Sequence, residues 1–548
     1  MNIFSCRHVA GKAAALILLF SSIGLSADIT IDEIRSKPLS LARNFMIWQY
    51  FDQNITSQQA DEAFYLIRNV NRKLFFAYAK KSKRPEVAYT VKCMKMGTRT
   101  LMKSMDASCV KIALSTGRLS NMQDTERIRI ARLVNDKEID KTVSMLNENN
   151  LTKNYRKFEP ELFLKIFNGS SSKFRHRVFN FSPDHDYMNS LAKSSGFTSA
   201  VMSTINDVAL PEFAKALTSV DVKELDAKGH FYLGLNQLMR GKKSRAIEHF
   251  QLSRDKAYYQ EDKDKALFWQ ALVSGNELIW DLLAKSWDIN FYSLYAKEKA
   301  GTFPDNYYTQ LQTSKKVSDL NLSDPFIWNE LLEEIKSTNK RDLYDLAERY
   351  NAKNLTPVQS FIVERASSFR LQGYIMPYDK ELKDIDADTK AIVYALMRQE
   401  SRFIPSALSS SFALGLMQIM PFLCNAMDGD IDCGRKEYNE MFNPHTNLLY
   451  AKSHIKWLKK RVYHPLFIAY AYNGGIGFTK RHLENGTFKN GPYEPFLSME
   501  LMRRTETREY GKKVLTNYVI YKRIIDEPVS LIDLCSYLTV PSKTDRFR

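Results

Sequence analysis

The sequence predicts an all-α protein whose first half is a long helical superhelix. The chain of 548 residues contains only 21 glycines and 17 prolines, fewer than average proteins use. A chain of β-hairpins would need more of these turn residues, so their scarcity favours long helices. From about residue 28 to residue 300, apolar residues recur every three or four positions, which is the period of an amphipathic helix.

The first residues are typical of an export signal. Arg7 and Lys12 supply positive charge. An apolar stretch at 13–23 follows them, and small residues at 24–27 come next. About a dozen apolar residues are fewer than the ~20 that span a bilayer. We therefore expect a cleaved signal peptide at 1–27, no transmembrane segment after cleavage, and a periplasmic location. An uncleaved anchor or a buried helix is the alternative.

Residues 28–300 are predicted to form the superhelix, with TPR-like helix pairs. Small residues alternate with aromatic residues on successive short helices, most clearly at 231–238, 246–250 and 266–272. Such helix pairs bury their apolar faces only by stacking on their neighbours. The aromatic residues are accordingly expected in the core.

A change of composition marks a predicted linker domain at 301–378. It begins with a connector rich in Thr, Asn, Asp, Ser and Pro, and helices are expected at 326–349 and 357–371. The remaining segment, 379–548, is predicted to be the C-terminal domain. Its last residues, 531–548, are expected to be a peripheral tail.

The charge of the chain favours anionic partners. The sequence has 79 Lys and Arg against 62 Asp and Glu, a net charge of +17, which suits an anionic polymer or surface. The sequence contains no phosphate-binding loop, no H-E-x-x-H motif and no G-x-S-x-G motif. We therefore expect neither a cofactor nor a metal.

The cysteines are compatible with export. Cys93 and Cys109, like Cys424 and Cys433, are close enough in sequence to form disulfides in an oxidising compartment. Buried reduced cysteines are the alternative. Since five cysteines follow residue 27, at least one thiol is expected to remain unpaired.

Glu400 is the candidate for acid–base chemistry. A helix is predicted at 389–400, and Glu400 lies four residues after Leu396 and eight after Ile392, on the same apolar face. Burial and the negative end of the helix dipole both raise the pKa of such a carboxyl. A carboxyl that stays protonated near neutral pH can act as a general acid. A solvated glutamate at the helix end is the alternative.

Five short motifs follow one another from Glu400 onwards. They read ESRFIPSALS at 400–409, ALGLMQIMP at 413–421, FNPHTN at 442–447, AYNGG at 471–475 and ETREY at 506–510. In this order they resemble the catalytic domain of the soluble lytic murein transglycosylases, a lysozyme-like α-helical fold. The resemblance covers about residues 380–525. Family members of this length also place a ring-like helical superhelix and a linker domain ahead of that domain.

The resemblance implies an activity and a set of site residues. Glu400 matches the family's single catalytic acid and base, which cleaves peptidoglycan between N-acetylmuramic acid and N-acetylglucosamine and closes a 1,6-anhydro ring. Five further residues would line the sugar cleft or support the glutamate: Ser409, Gln418, Met420, Tyr472 and Glu506. The implied substrate is the peptidoglycan glycan strand, and the superhelix is expected to hold other cell-wall enzymes.

The supporting residues also have simpler interpretations. Met420 could be core packing, Tyr472 could anchor its own turn, and Glu506 could pair with Arg508. One position departs from the family pattern, because Phe412 stands where the family often has glycine. We expect this bulkier residue to reshape the wall of the cleft.

Three other functions remain open from the sequence. A lysozyme-like hydrolase would need a second carboxylate, and Asp428, Asp430 and Asp432 lie in a stretch that is expected to be a solvated loop. The chain could also be an inert scaffold that binds cell wall. Nucleic-acid binding is disfavoured because export would separate the protein from nucleic acid. The protein is expected to be a monomer.

Overall fold

The computed structural model describes residues 28–314, 316–426 and 438–548. Helices account for most of these residues, which confirms the predicted all-α class. In the described ranges, the one sheet pairs β1 (Tyr307–Tyr308) with β2 (Gln372–Gly373) in parallel. The predicted signal peptide lies outside the described residues, and so do Asp428, Asp430, Asp432 and Cys433.

The first helices form the predicted superhelix. In chain order they are α1 (Ile31–Ser36), α2 (Leu41–Tyr50), α3 (Ser57–Tyr65), α4 (Arg72–Ala79), α5 (Pro85–Lys95), α6 (Thr98–Lys103), α7 (Ala107–Ala113), α8 (Thr116–Ser120), α9 (Asp124–Val134), α10 (Lys137–Leu146), α11 (Leu151–Asn154), α12 (Pro160–Gly169), α13 (Ser172–Val178), α14 (His185–Ala192), α15 (Phe197–Ile205), α16 (Pro211–Ala216), α17 (Ala227–Met239), α18 (Lys243–Lys256), α19 (Gln260–Ser274), α20 (Glu277–Ala284) and α21 (Phe291–Lys299). Helices that are close in the sequence pack against each other, from α5 with α7 through α9, α10, α12, α15 and α17 to α21.

Small and aromatic residues interlock between α17, α18 and α19, as the sequence predicts. Gly234 of α17 lies so close to Phe250 of α18 that an added Cβ would be 2.6 Å from the ring. The Phe250 ring lies 5.7 Å from Phe231 and 5.9 Å from Trp269 of α19. All three aromatic side chains are buried, so these aromatic residues belong to the core, as expected.

One of the two candidate disulfides is present in the described part of the chain. Cys93 of α5 is bonded to Cys109 of α7, which joins two helices of the superhelix. Cys535 is a buried free thiol. The candidate pairing of Cys424 with Cys433 falls outside the described residues.

The linker segment contains α22 (Pro325–Ser337), α23 (Leu343–Arg349) and α24 (Thr356–Ala366). The predicted helical stretch 326–349 is therefore two helices. The break falls at the consecutive polar residues Thr338 and Asn339, where the Thr338 hydroxyl donates to the Glu334 carbonyl, 2.8 Å away. Such side chains compete for backbone hydrogen bonds and favour helix ends.

The C-terminal helices are α25 (Ala387–Ser401), α26 (Pro421–Ala426), α27 (Pro444–Lys459), α28 (Pro465–Gly474), α29 (Ile476–Glu484), α30 (Phe496–Glu500), α31 (Thr505–Ile524), α32 (Leu531–Tyr537) and α33 (Pro541–Thr544). Helices α25 and α28 each pack against the long helix α31. In the described ranges, no helix has both the length and the apolar character that crossing a membrane requires.

The prediction of a peripheral tail at 531–548 is wrong. Leu531 and Leu538 are fully buried, and α32 packs against α21 of the superhelix. The Arg548 guanidinium donates to the Phe488 carbonyl at 3.0 Å and pairs with Asp545 at 2.8 Å. Leu531, Cys535 and Leu538 are buried apolar positions, and their i, i+4, i+7 spacing places them on one face of a helix.

Both ends of the superhelix contact the C-terminal region. At the late end, Tyr292 of α21 donates to Glu500, which Lys512 of α31 contacts at 3.0 Å. At the early end, α2 packs on α22 of the linker, and Gln49 donates to Asn439 at 3.2 Å. The chain therefore closes on itself, as the expected ring-like arrangement requires.

Candidate functional site

Glu400 is the second-last residue of α25. The helix begins after Asp386, whose carboxylate accepts from the Thr389 amide at 2.8 Å, and it runs two residues further towards the N-terminus than predicted. Its last turns are buried against the linker. The Arg398 guanidinium pairs with Glu364 of α24 at 2.9 Å and donates to the Gly373 carbonyl at 2.8 Å. These bonds fix the helix end that carries Glu400.

The carboxyl of Glu400 is placed where a proton is easily gained and lost. Burial raises the pKa of Glu400 to about 7, in the direction that the sequence predicted. The hydroxyl of Tyr510 donates to Oε1 of Glu400 at 2.6 Å and lowers the pKa, whereas repulsion from Glu506 raises it. A carboxyl with this pKa can both donate and accept a proton near neutral pH.

Tyr510 is a site residue that the sequence reasoning did not single out. It lies four residues after Glu506 on α31, so the two side chains share a face of that helix. The i, i+4 spacing within the ETREY motif was the available signal. Burial and the nearby Glu400 charge hold the pKa of the Tyr510 hydroxyl well above its usual value, so this tyrosine remains a hydrogen-bond donor.

Glu506 lies in the first turn of α31 and is exposed. Its carboxylate accepts from the Asn473 side chain at 3.5 Å, and Thr507 donates to the same asparagine at 2.7 Å. The alternative pairing with Arg508 is not what the structure shows, because the Arg508 Nε bonds Glu509 at 2.7 Å. Glu506 thus forms no ion pair with Arg508, and it lies close enough to Glu400 for its charge to raise the pKa of that carboxyl.

Tyr472 of α28 bonds the GLMQ motif and lies near Glu400. Its hydroxyl donates to the Met417 carbonyl at 2.7 Å, and burial together with the nearby charge of Glu400 raises the pKa of that hydroxyl well above its usual value. The side chain is half-buried and lies against His454 of α27, with ring centres 5.5 Å apart. Tyr472 therefore anchors a neighbouring loop and also lies close to the candidate acid.

Ser409 and Gln418 belong to a tight loop, here named the cleft hairpin (residues 407–419). The Gln418 side chain donates to the carbonyls of Ala407 at 3.0 Å and Gly415 at 2.9 Å, tying the two ends together. The Ser409 hydroxyl accepts from the Ala413 amide at 2.9 Å. Both residues therefore shape the hairpin itself.

Met420 directly follows the hairpin and is half-buried. Its carbonyl accepts from the Leu423 amide at 2.9 Å, at the start of α26. Met417, by contrast, is fully buried and is core. The structure thus brings Glu400, Tyr472 and Glu506 together, and it places Ser409 and Gln418 on the hairpin that Tyr472 anchors.

The structure buries Phe412, and the expected effect of this residue on the wall of the cleft stays a prediction. Its side chain is fully buried, and its ring contacts Phe45 and Trp48 of α2, with centres 5.4 and 5.7 Å away. The ring therefore contacts the superhelix. Within residues 28–314, 316–426 and 438–548, no group of three or more His, Cys, Asp or Glu could hold a metal ion.

Together these features place the protein in one class, that of helical proteins in which a superhelix and a linker precede an α-helical domain with a recessed glutamate of raised pKa. Residues 378–492 match the family model described as the transglycosylase SLT domain. The chain therefore carries a domain of the SLT family. Glu506 and Tyr510 lie beyond the matched residues, so their place in the site rests on the geometry.

Two curated relatives are similar over part of the chain. A putative soluble lytic murein transglycosylase of Haemophilus influenzae is 28% identical over 203 residues, 36% of this chain and 33% of the relative. The soluble lytic murein transglycosylase of Escherichia coli K12 is 23% identical over 303 residues, 50% of this chain and 46% of the relative. The aligned part thus spans less than half the length of either relative.

Two solved structures are similar over most of the chain. The 70 kDa soluble lytic transglycosylase of Escherichia coli covers 93% of this chain and 84% of its own, with 17% identity and a TM-score of 0.47. An inactive mutant of the lytic transglycosylase Slt from Pseudomonas aeruginosa covers 92% and 90%, with 13% identity and a TM-score of 0.47.

Proposed function

We propose that this protein is a lytic transglycosylase that cleaves peptidoglycan glycan strands, with Glu400 as its single acid and base. The observation that carries the proposal is the half-buried carboxyl of Glu400, whose pKa burial raises to about 7 while the Tyr510 hydroxyl donates to its Oε1 at 2.6 Å. The SLT domain match over residues 378–492 supports the substrate class.

The proposed reaction uses one carboxyl twice. Glu400 first donates its proton to the glycosidic oxygen between N-acetylmuramic acid and N-acetylglucosamine, and that C–O bond breaks. The substrate's own N-acetyl group stabilises the cationic carbon. Glu400, now a carboxylate, takes the proton of the muramoyl C6 hydroxyl, whose oxygen bonds the cationic carbon and closes the 1,6-anhydro ring. The proton returns to Glu400, so the cycle consumes no water.

Tyr510 has a specific part in this scheme. Its hydroxyl donates to Oε1 of Glu400, which orients the carboxyl and leaves Oε2 to exchange the proton. The same bond stabilises the carboxylate form that must act as a base. Ser409, Gln418, Met420, Tyr472 and Glu506 are proposed to form or support the glycan cleft.

Export to an oxidising compartment belongs to the same proposal. The bond between Cys93 and Cys109 supports it, because disulfides persist in the periplasm and are rare in the cytosol. The peptidoglycan strand is then the anionic polymer that the positive chain binds, and the net charge of +17 becomes +15 when Arg7 and Lys12 are removed with the signal peptide.

The test is digestion of purified cell-wall sacculi by the wild type and by Glu400→Gln, with the fragments analysed by mass spectrometry. We expect 1,6-anhydro ends from the wild type and at least ~10²-fold fewer from the variant, because a general acid contributes that much. Phe167→Ala, a substitution in the superhelix core, is the control for a general loss of stability. Equal yields of anhydro ends from the wild type and Glu400→Gln would refute the mechanism.

A hydrolase is the second candidate, because the structure places a second acid, Glu506, close enough to Glu400 to raise its pKa. Hydrolysis by two carboxylates adds water to the cleaved bond. Digestion in ¹⁸O-labelled water separates the two functions. Reducing ends that carry ¹⁸O would establish the hydrolase, whereas unlabelled anhydro ends would establish the transglycosylase.

A further inference from the structure

The cleft hairpin is a closed structural unit with Phe412 at its tip. The Phe412 amide donates to the Ser409 carbonyl at 2.8 Å, the Ser409 amide to the Ala413 carbonyl at 3.1 Å, and the Gly415 amide to the Ala407 carbonyl at 2.9 Å. Phe412 has a φ of 60°, in the left-handed region that favours glycine. A bulky residue in this conformation needs support from its surroundings.

That support comes from the start of the chain. The Phe412 ring is fully buried between Phe45 and Trp48 of α2. Phe45 also contacts Phe442, on the segment that follows the hairpin, with ring centres 6.0 Å apart. Helix α2 thus covers two neighbouring parts of the C-terminal region with one aromatic cluster.

Helix α4 adds polar contacts to the same loop. The Lys73 ammonium donates to the Ser411 carbonyl at 2.9 Å and lies 5.5 Å from the centre of the Phe412 ring. The Asn71 side chain donates to the Ser410 carbonyl at 3.1 Å, while its oxygen caps α4 by accepting from Leu74 at 2.8 Å. Consecutive carbonyls at the tip of the hairpin are therefore held from the superhelix.

We propose that α2 and α4 position the cleft hairpin for glycan binding, with Phe45, Lys73 and Phe412 as the positioning residues. The proposal rests on the proposed function, in which Ser409 and Gln418 form or support the glycan cleft. Phe45 and Lys73 contact the tip of the loop, at Phe412 and Ser411. Hydrogen bonds within the loop then fix the positions of Ser409 and Gln418. Closure of the superhelix then becomes a condition for a well-formed cleft.

This arrangement predicts a particular kinetic signature. Glu400 is held by Glu364 of the linker through Arg398, independently of the hairpin. Loosening the hairpin should therefore weaken glycan binding and leave proton transfer largely intact. A variant that only destabilises the fold would instead lower the amount of active enzyme, which reduces the apparent kcat and leaves KM unchanged.

The first test measures KM and kcat on soluble glycan strands for Phe45→Ala and Phe412→Gly. Glycine suits the φ of residue 412, so this variant removes the ring without adding backbone strain. We expect KM to rise at least about threefold with kcat within about twofold. Phe45→Leu should restore most of the wild-type KM. The control Phe167→Ala removes a buried aromatic ring that contacts Phe179 and Phe213 within the superhelix.

The second test needs no substrate. Hydrogen exchange of the amides of Ser409, Phe412 and Gly415 is compared between the wild type and Phe45→Ala. We expect exchange to become at least about tenfold faster in Phe45→Ala and to stay unchanged in Phe167→Ala. Unchanged exchange in Phe45→Ala, or an equal rise of KM in Phe167→Ala, would overturn the proposal. If the wild type does not cleave glycan, the proposed function fails and the exchange measurement still decides the positioning role.

Discussion

The two halves of the candidate site are held in place by different parts of the molecule. The end of α25, which carries Glu400, is fixed by the linker, where Arg398 and Glu364 pair at 2.9 Å with side chains 4% and 3% exposed. The cleft hairpin is held by α2 and α4 of the superhelix, more than 300 residues earlier in the chain. The candidate acid is thus held by the linker, whereas the hairpin that we propose lines the cleft is held by helices from the start of the chain.

The two anchors also differ in strength. A charge pair removed from water is costly to break, because the remaining partner is left buried and unpaired. The polar contacts of the hairpin involve the half-buried Lys73 and Asn71, which water can partly replace. We infer that the buried charge pair is the stronger of the two polar anchors, and that the hairpin owes its position mainly to the buried Phe412 ring. Three predictions test this contrast.

The largest effect is expected for Glu364→Gln. It leaves the Arg398 guanidinium buried without its carboxylate and should lower the free energy of unfolding by about 3–5 kcal/mol, as measured by urea denaturation. Glu364 also accepts from Arg402 at 2.9 Å, so replacing Glu364 and Arg398 together, as Glu364→Leu with Arg398→Met, should recover only part of this loss. The control Arg245→Ala breaks an exposed pair with Glu248 and should cost less than ~1 kcal/mol. An equal loss in Glu364→Gln and the control would show that the buried pair does not anchor α25.

An intermediate effect is expected for Tyr510→Phe. Its hydrogen bond lowers the pKa of Glu400, so its removal should raise that pKa above about 7. Since the reaction starts from protonated Glu400, activity falls as the pH rises through this pKa. The alkaline limb of the kcat/KM profile should therefore move up by roughly one pH unit.

The matched variant for this measurement is Glu506→Gln, which should have the opposite sign. It removes the repulsion that raises the pKa of Glu400, so the alkaline limb should move to lower pH. Shifts in the same direction for both variants would contradict the assigned environment of Glu400.

The smallest effect is expected for Lys73→Met. The variant keeps the apolar stem but loses the hydrogen bond to the Ser411 carbonyl, so KM for glycan should rise about twofold, measured by steady-state kinetics. Lys81→Met is the control, because Lys81 donates to the Gln53 carbonyl within the superhelix at 2.6 Å. An effect of the control as large as that of Lys73→Met would show that the hairpin is not the sensitive element.

Much of the fold could be predicted from local pattern. The helical period, the scarcity of turn residues and the small and aromatic residues of α17–α19 led to the superhelix, because each is a property of neighbouring residues. The tail at 531–548 was misjudged, since its burial depends on α21 and on Phe488, which are distant in sequence. The domain limits at 300 and 378 stay predictions.

The candidate site, like the fold, could be predicted from the sequence only where its features are local. Glu400 was predicted because its helix position and its motifs are local, and the structure supplies the burial that raises its pKa. Tyr510 was missed because its bond to Glu400 joins two helices across 110 positions. The partners of Phe412 were missed for the same reason, since Phe45 and Trp48 come from the other end of the chain.

Local patterns in the sequence are enough to predict the helical class, the order of the segments and the glutamate to which the proposed chemistry is assigned. Periodicity, composition and motif spacing can be read without knowledge of long-range contacts. The side chains around that glutamate and the helices that support the cleft hairpin become known only from the folded structure. Those contacts depend on how the ends of the superhelix return to the C-terminal region, and no local pattern specifies that closure.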